Sequence, residues 1–95
     1  MDNFEYIANT VRDRLKGDKS RLVELFDDTK FFRELQGRTK DSDWYHFPPK
    51  SFDGVYFIES SLGYEVYQQD RGAKSGHRVF VELLDAARHF FSSYW

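Results

Sequence analysis

Four carboxylates in the second half of the chain, Asp53, Glu59, Glu65 and Asp70, are the residues best placed to do chemistry. Two carboxylates held together can divide the roles of general acid and base. The same residues can equally form a solvated sheet face, or a negative surface that docks onto a basic partner and sets its specificity. No companion motif selects the catalytic option. His46, His77 and His89 stand at no metal-ligand spacing such as H-E-x-x-H. Ser60, Ser61 and Ser75 fall in turn-like stretches, where serine is favoured for backbone reasons, and Ser75 near His77 is only a sequence neighbour. The run Arg71-Gly72-Ala73-Lys74-Ser75-Gly76 lacks the spacing of a phosphate-binding loop and reads as a hairpin loop. Catalytic, cofactor-binding and metal-binding residues are therefore not assigned.

The elements that position these carboxylates follow from local patterning. Asp53-Gly54 signals a turn before Val55-Tyr56-Phe57-Ile58, a β-branched and aromatic run. Ser60 to Gly63 interrupts it and Tyr64 to Gln69 resumes it, so the pair reads as a hairpin. A loop over Asp70–Gly76 leads to a third strand, Arg78 to Val81. Leu83, Leu84, Ala87, Phe90, Phe91 and Tyr94 then recur at helical spacing, with Asp85, Arg88, His89 and Ser92 on the other side. Upstream, Phe4, Ile7, Ala8, Val11 and Leu15 predict a helix over 3–16, capped by Asp2 or Asn3 and ended by Gly17. Leu22 to Phe26 and Phe31 to Leu35 continue a helical pattern, and the spacing leaves open whether 20–36 is one kinked helix or two, with two favoured. Asp27-Asp28-Thr29 is capping material between them, and Gly37 suits the end of the second. The expected fold is α+β: N-terminal helices packed with a three-stranded antiparallel β-meander and a C-terminal amphipathic helix. It forms one domain, with a helical part over 1–37, a connector over 38–53 and the meander plus helix over 54–95.

Within the connector, Arg38 to Asp43 is a polar linker. Trp44-Tyr45-His46-Phe47 then precedes Pro48-Pro49, which block helix and central strand. The aromatics make this an extended segment pinned to the body, or else a patch that faces a partner. Trp95 and Tyr94 are expected to pack on the body, and a monomer is favoured.

Composition narrows the function classes. Aromatic residues make up 19% of the 95, enough bulk for a short chain to bury a core without disulfides, and there are no cysteines. The absence of thiols is compatible with a reducing cytosol. No apolar run is long enough to span a membrane and the N-terminal stretch is not patterned as a signal peptide, so a cytoplasmic location is expected. Residues 1–50 hold ten acids and ten bases, whereas residues 51–95 hold six acids and four bases. A mildly acidic sheet half is a poor grip for phosphate backbones. The competing possibility is a small RNA-binding or regulatory module in which Tyr56, Phe57, Tyr64 and Tyr67 stack single-stranded bases.

The segment GYEVYQQDRGAKSGHRVFVELLDAARHFF resembles the C-terminal portion of small bacterial immunity proteins of contact-dependent growth-inhibition and polymorphic toxin systems. The matching features are the tyrosine-rich strand Tyr64 to Tyr67, then Asp70-Arg71-Gly72, the basic stretch Lys74 to Arg78, Phe80, and Ala87 with Phe90. The resemblance implies a cytoplasmic antitoxin that binds one cognate toxin domain, commonly a nuclease, and blocks its active site or substrate groove. It implies no cofactor. Under that reading Trp44, Tyr45, Tyr56 and Tyr67 are the expected anchors, and Glu59, Glu65 and Asp70 the expected charged contacts. Arg71 is expected to shape its loop by pairing with Asp70 or Glu65.

Overall fold

The computed structural model describes residues 1–38 and 42–95. The elements run α1 (Asn3–Leu15), a 3₁₀ helix (Lys19–Phe26), α2 (Lys30–Gln36), β1 (Tyr45–His46), β2 (Gly54–Ser60), β3 (Gly63–Asp70), β4 (Ala73–Phe80) and α3 (Leu83–Tyr94). The architecture is α+β, but the sheet is four-stranded and mixed rather than a three-stranded meander. Its order is β1-β2-β3-β4, with β1 parallel to β2 and the other pairs antiparallel.

Helix α1 forms as its periodicity requires. The Asp2 carboxylate accepts from the Glu5 amide at its start, and the chain turns left-handed through Lys16 and Gly17 at its end. The following segment is indeed two pieces. Asp18 caps the 3₁₀ helix by accepting from the Ser20 amide, and Asp28 accepts from the amide of Lys30 at the start of α2. Gly37 ends α2 in the right-handed region, so it is not the left-handed cap that its type suggests. The linker expected over Arg38–Asp43 falls partly on residues 39–41, outside the described residues.

The largest departure concerns β4. It starts at Ala73 rather than Arg78, and the expected seven-residue loop contracts to a two-residue turn at Arg71-Gly72. Both turn residues have positive φ, 52° and 80°, which matches the twist of the flanking strands. Gly76 then serves a bulge inside β4, where Gly76 and His77 together face Tyr67. The polar run Ala73 to Arg78 gives no alternation because β4 is an edge strand, exposed along almost its whole length.

All the helices pack on one face of the sheet. Phe57 and Val66 point into them and meet Phe26, Phe32, Phe47 and Phe90. Tyr56, Ile58 and Tyr67 form a second, smaller cluster on the other face. Trp95 packs on Phe4 and Tyr45, as expected of the chain end. No helix among the described residues is long and apolar enough to cross a membrane.

Strand β1 joins the sheet because Gly54 carries no side chain. The Val55 amide donates to the Trp44 carbonyl at 2.8 Å, and a Cβ on Gly54 would lie 2.3 Å from that carbonyl oxygen and against the His46 ring. Gly54 also has φ 147°, a region that L side chains rarely adopt. Gly54→Ala should therefore lower stability by about 3 kcal/mol. Gly72→Ala, at φ 80° with open space around it, should cost only about 1–2 kcal/mol. Urea unfolding of the two variants beside the parent chain measures both.

Candidate functional site

Each strand contributes one ring to a ladder on the face that the helices leave open. His46 of β1 stacks on Tyr56 at 4.8 Å between centroids, Tyr56 on Tyr67 at 4.9 Å, and Tyr67 meets His77 edge-on at 5.7 Å. The loop before β2 closes over it. The Phe52 carbonyl accepts from the Tyr56 hydroxyl at 2.6 Å and from Gln69 Nε2 at 3.1 Å, while the Lys74 ammonium sits 4.5 Å from the Tyr67 ring centre. Tyr56 and Tyr67 are consequently buried. Burial, with the nearby Tyr56 and Glu65, pushes the Tyr67 hydroxyl up to about 12.

This corrects the expectation that Tyr56 and Tyr67 are anchors, since neither side chain is open to a partner. It equally removes the stacking platform for single-stranded bases. Phe57 lies in the main core and Tyr64 packs half-buried against Phe32, on the opposite face from Tyr56 and Tyr67. Sequence reasoning missed the buried role because alternation along β2 is masked when both faces are apolar.

The carboxylates do not converge either. In the β2–β3 register Ile58 faces Glu65 and Glu59 faces Tyr64, so Glu59 and Glu65 project to opposite sides of the sheet. Glu59 pairs with the Arg33 guanidinium. Glu65 is held below the ordinary carboxylate range by a hydrogen bond with Ser60 and another with His77, whose Nε2 lies 2.6 Å away. Asp53 uses one oxygen to accept from the Arg71 amide at 2.8 Å and so pins the β3–β4 turn. Arg71 thus shapes the turn through its backbone, not through the expected pairing with Asp70 or Glu65. Asp70 is exposed at the end of β3. The three histidines sit on β1, β4 and α3, with His89 against Phe80.

What the sheet does present lies beside the connector. Trp44 and Tyr45 alternate. Tyr45 turns inward, packs on Phe90 and donates to the Tyr94 carbonyl at 2.8 Å, so it belongs to the body. Trp44 turns outward and is half exposed. Every other Phe, Tyr and Trp ring contacts another aromatic or imidazole ring, but among the described residues no ring pairs with the Trp44 indole. Trp44 borders an open cleft of about 480 Å³, lined also by Ser42, Asp43, Ser51, Phe52 and Asp53. Phe52, another cleft residue, is 43% exposed. Asn3 fixes this edge to α1: its amide donates to Asp43 at 3.1 Å, and its side chain donates to the Tyr45 carbonyl at 2.8 Å. A second open cleft of about 370 Å³ carries Asp27, Asp28 and Glu82 with the exposed Val81.

Of the seven residues expected to meet a partner, then, Trp44 and Asp70 are exposed. Tyr45, Tyr56, Glu59, Glu65 and Tyr67 make internal contacts. Asp43 and Phe52 were missed, because isolated residues in a Pro-containing connector carry no periodic signal.

The Tyr67 shift sets an alkaline limit. A tyrosine in the unfolded chain ionises at about 10, and the folded protein holds the proton more tightly. That stabilisation is complete below about pH 10 and is lost as pH rises towards 12. Tyr67→Phe should flatten this alkaline limb of a stability-against-pH profile followed by circular dichroism. The Glu65 carboxyl, depressed in the fold, should contribute above its unfolded value of about 4.3 and lose that contribution as pH falls further. Glu65→Gln should remove that part of the acid limb in the same measurement.

No protein-family model, curated protein or solved structure matches the chain.

Proposed function

We propose that this chain is a cytoplasmic immunity protein, an antitoxin that binds a cognate toxin domain of the nuclease class and blocks its active site or substrate groove. The observation that carries this reading is Trp44, a large ring half exposed at the surface on a segment that a backbone hydrogen bond fixes to the sheet, with no ring partner among the described residues. Tryptophan in such a setting is the residue type that most often dominates a protein interface. The carboxylates around it, Asp43 and Asp53, give the cleft the sign that suits a toxin surface evolved to grip phosphate. The segment that resembles immunity proteins also forms one continuous unit, the β3–β4 hairpin with α3 laid across it. That unit supports the cleft from behind, through the bond from the Arg71 amide to Asp53.

The mechanism is occlusion. The aromatic edge enters the toxin's groove, carboxylates meet its cations, and substrate is kept out. No bond is made or broken in this scheme.

The test is stoichiometric complex formation with the toxin domain encoded beside this chain's gene. The complex should purify as a unit and suppress toxicity. Trp44→Ala should weaken it by about 30-fold, the scale of an interface hot spot, while leaving the unfolding midpoint within about 0.5 kcal/mol of the parent. Absence of any complex with the neighbouring product, or turnover of a substrate by the purified chain, overturns the reading.

A further inference from the structure

We infer that the Trp44 cleft is a receptor for an arginine side chain presented by the partner protein. The inference rests on the binding role proposed above and adds the chemistry of the contact.

The lining supplies what a guanidinium requires. Trp44 is half exposed and offers a ring face on which a planar cation stacks, while the partly exposed Phe52, which already carries His46 and Lys50 against its ring, walls the cleft. Asp43 and Asp53 each give one oxygen to a backbone amide, those of Asn3 and Arg71. Among the described residues their second oxygens have no partner; Asp53 is exposed and can accept from a guanidinium, while Asp43 is only 6% exposed and adds its negative charge from the floor of the cleft. Those amide bonds also orient the carboxylates in advance, which lowers the ordering cost of binding. Ser42 and Ser51 add hydroxyl acceptors on the exposed rim.

A second observation comes from the chain's own cations. Lys50 places its ammonium 5.9 Å from the centre of the Phe52 ring. The surface beside the cleft thus already holds one positive charge against an aromatic ring, whereas among the described residues no cation lies over Trp44. An arginine suits the remaining space better than a lysine, because a point charge cannot both stack flat on the indole and offer a planar fork of donors to the Asp53 carboxylate.

The experiment uses the full chain and small peptides, and is independent of any toxin. The Trp44 indole N–H resonance, assigned by its loss in Trp44→Phe, is followed while acetyl-Gly-Arg-Gly-amide is added, with Trp95 as the internal reference. The Arg peptide should move the Trp44 signal saturably. The Lys peptide should act more weakly and the Gln peptide should leave the signal in place. Asp53→Asn retains the oxygen that the Arg71 amide needs, and should weaken the Arg peptide by about tenfold. Phe52→Leu, at an exposed position, gives a second variant whose weakening supports the same site. An unmoved Trp44 signal, or equal movement by the Arg and Gln peptides, overturns the inference. If the neighbouring toxin still binds through Trp44 while the Arg peptide does not, the arginine receptor falls and the binding role stands. If the Arg peptide binds and the toxin does not, the binding role falls and the receptor stands.

Discussion

The pairing of β1 with β2, which the hydrogen bond from the Val55 amide to the Trp44 carbonyl opens, ties the connector to the sheet. It is possible only because Gly54 leaves its flank bare. Once made, it fixes three consecutive side chains by alternation. Trp44 goes to solvent, Tyr45 into the helical layer and His46 onto the ladder. Asn3 locks the same edge from the far end of the sequence, with its backbone and side chain both bonded to the connector. The cleft exists because these contacts hold a proline-containing segment against the sheet.

The two faces of the sheet are built on different principles. The helical face is a close-packed aromatic core around Phe57 and Phe90, where truncating one ring would cost about 3–5 kcal/mol. The other face has no helix over it. It is closed by stacked rings, a loop carbonyl shared by Tyr56 and Gln69, and the long stem of Lys74. Its polar atoms find partners inside the molecule, and among the described residues no buried side-chain donor or acceptor is left alone. That completeness rigidifies the sheet and leaves the loops at its ends as the chemically available surface.

Much of this was legible in the residues. Helices α1 and α3 and the break between the 3₁₀ helix and α2 follow from periodicity and capping, because each helix buries one face; strands β2 and β3 follow from β-branched and aromatic runs set between turn signals. Strand β1 was not legible, and β4 was legible only at its end, over residues 78–80. One is two residues long beside two prolines, and the other is an exposed edge with no burial to imprint alternation. The site divided in the same way. Trp44 stood out as an aromatic in a segment that can form neither helix nor central strand. Tyr56 and Tyr67 misled, since an aromatic strand looks the same whether its second face is open or closed by a distant loop. Asp43 and Phe52 acquire meaning only from tertiary contacts.

The bulge in β4 has a consequence for how copies of this molecule meet one another. An eight-residue border strand offers a row of amides and carbonyls onto which a second chain could zip. The kink at Gly76 breaks the straightness of that row, and Lys74 and Arg78 would bring like charges together along a self-paired seam. At the opposite border β1 is too short to template anything. The sheet is thus guarded at both margins against fibre-like growth by edge-to-edge pairing.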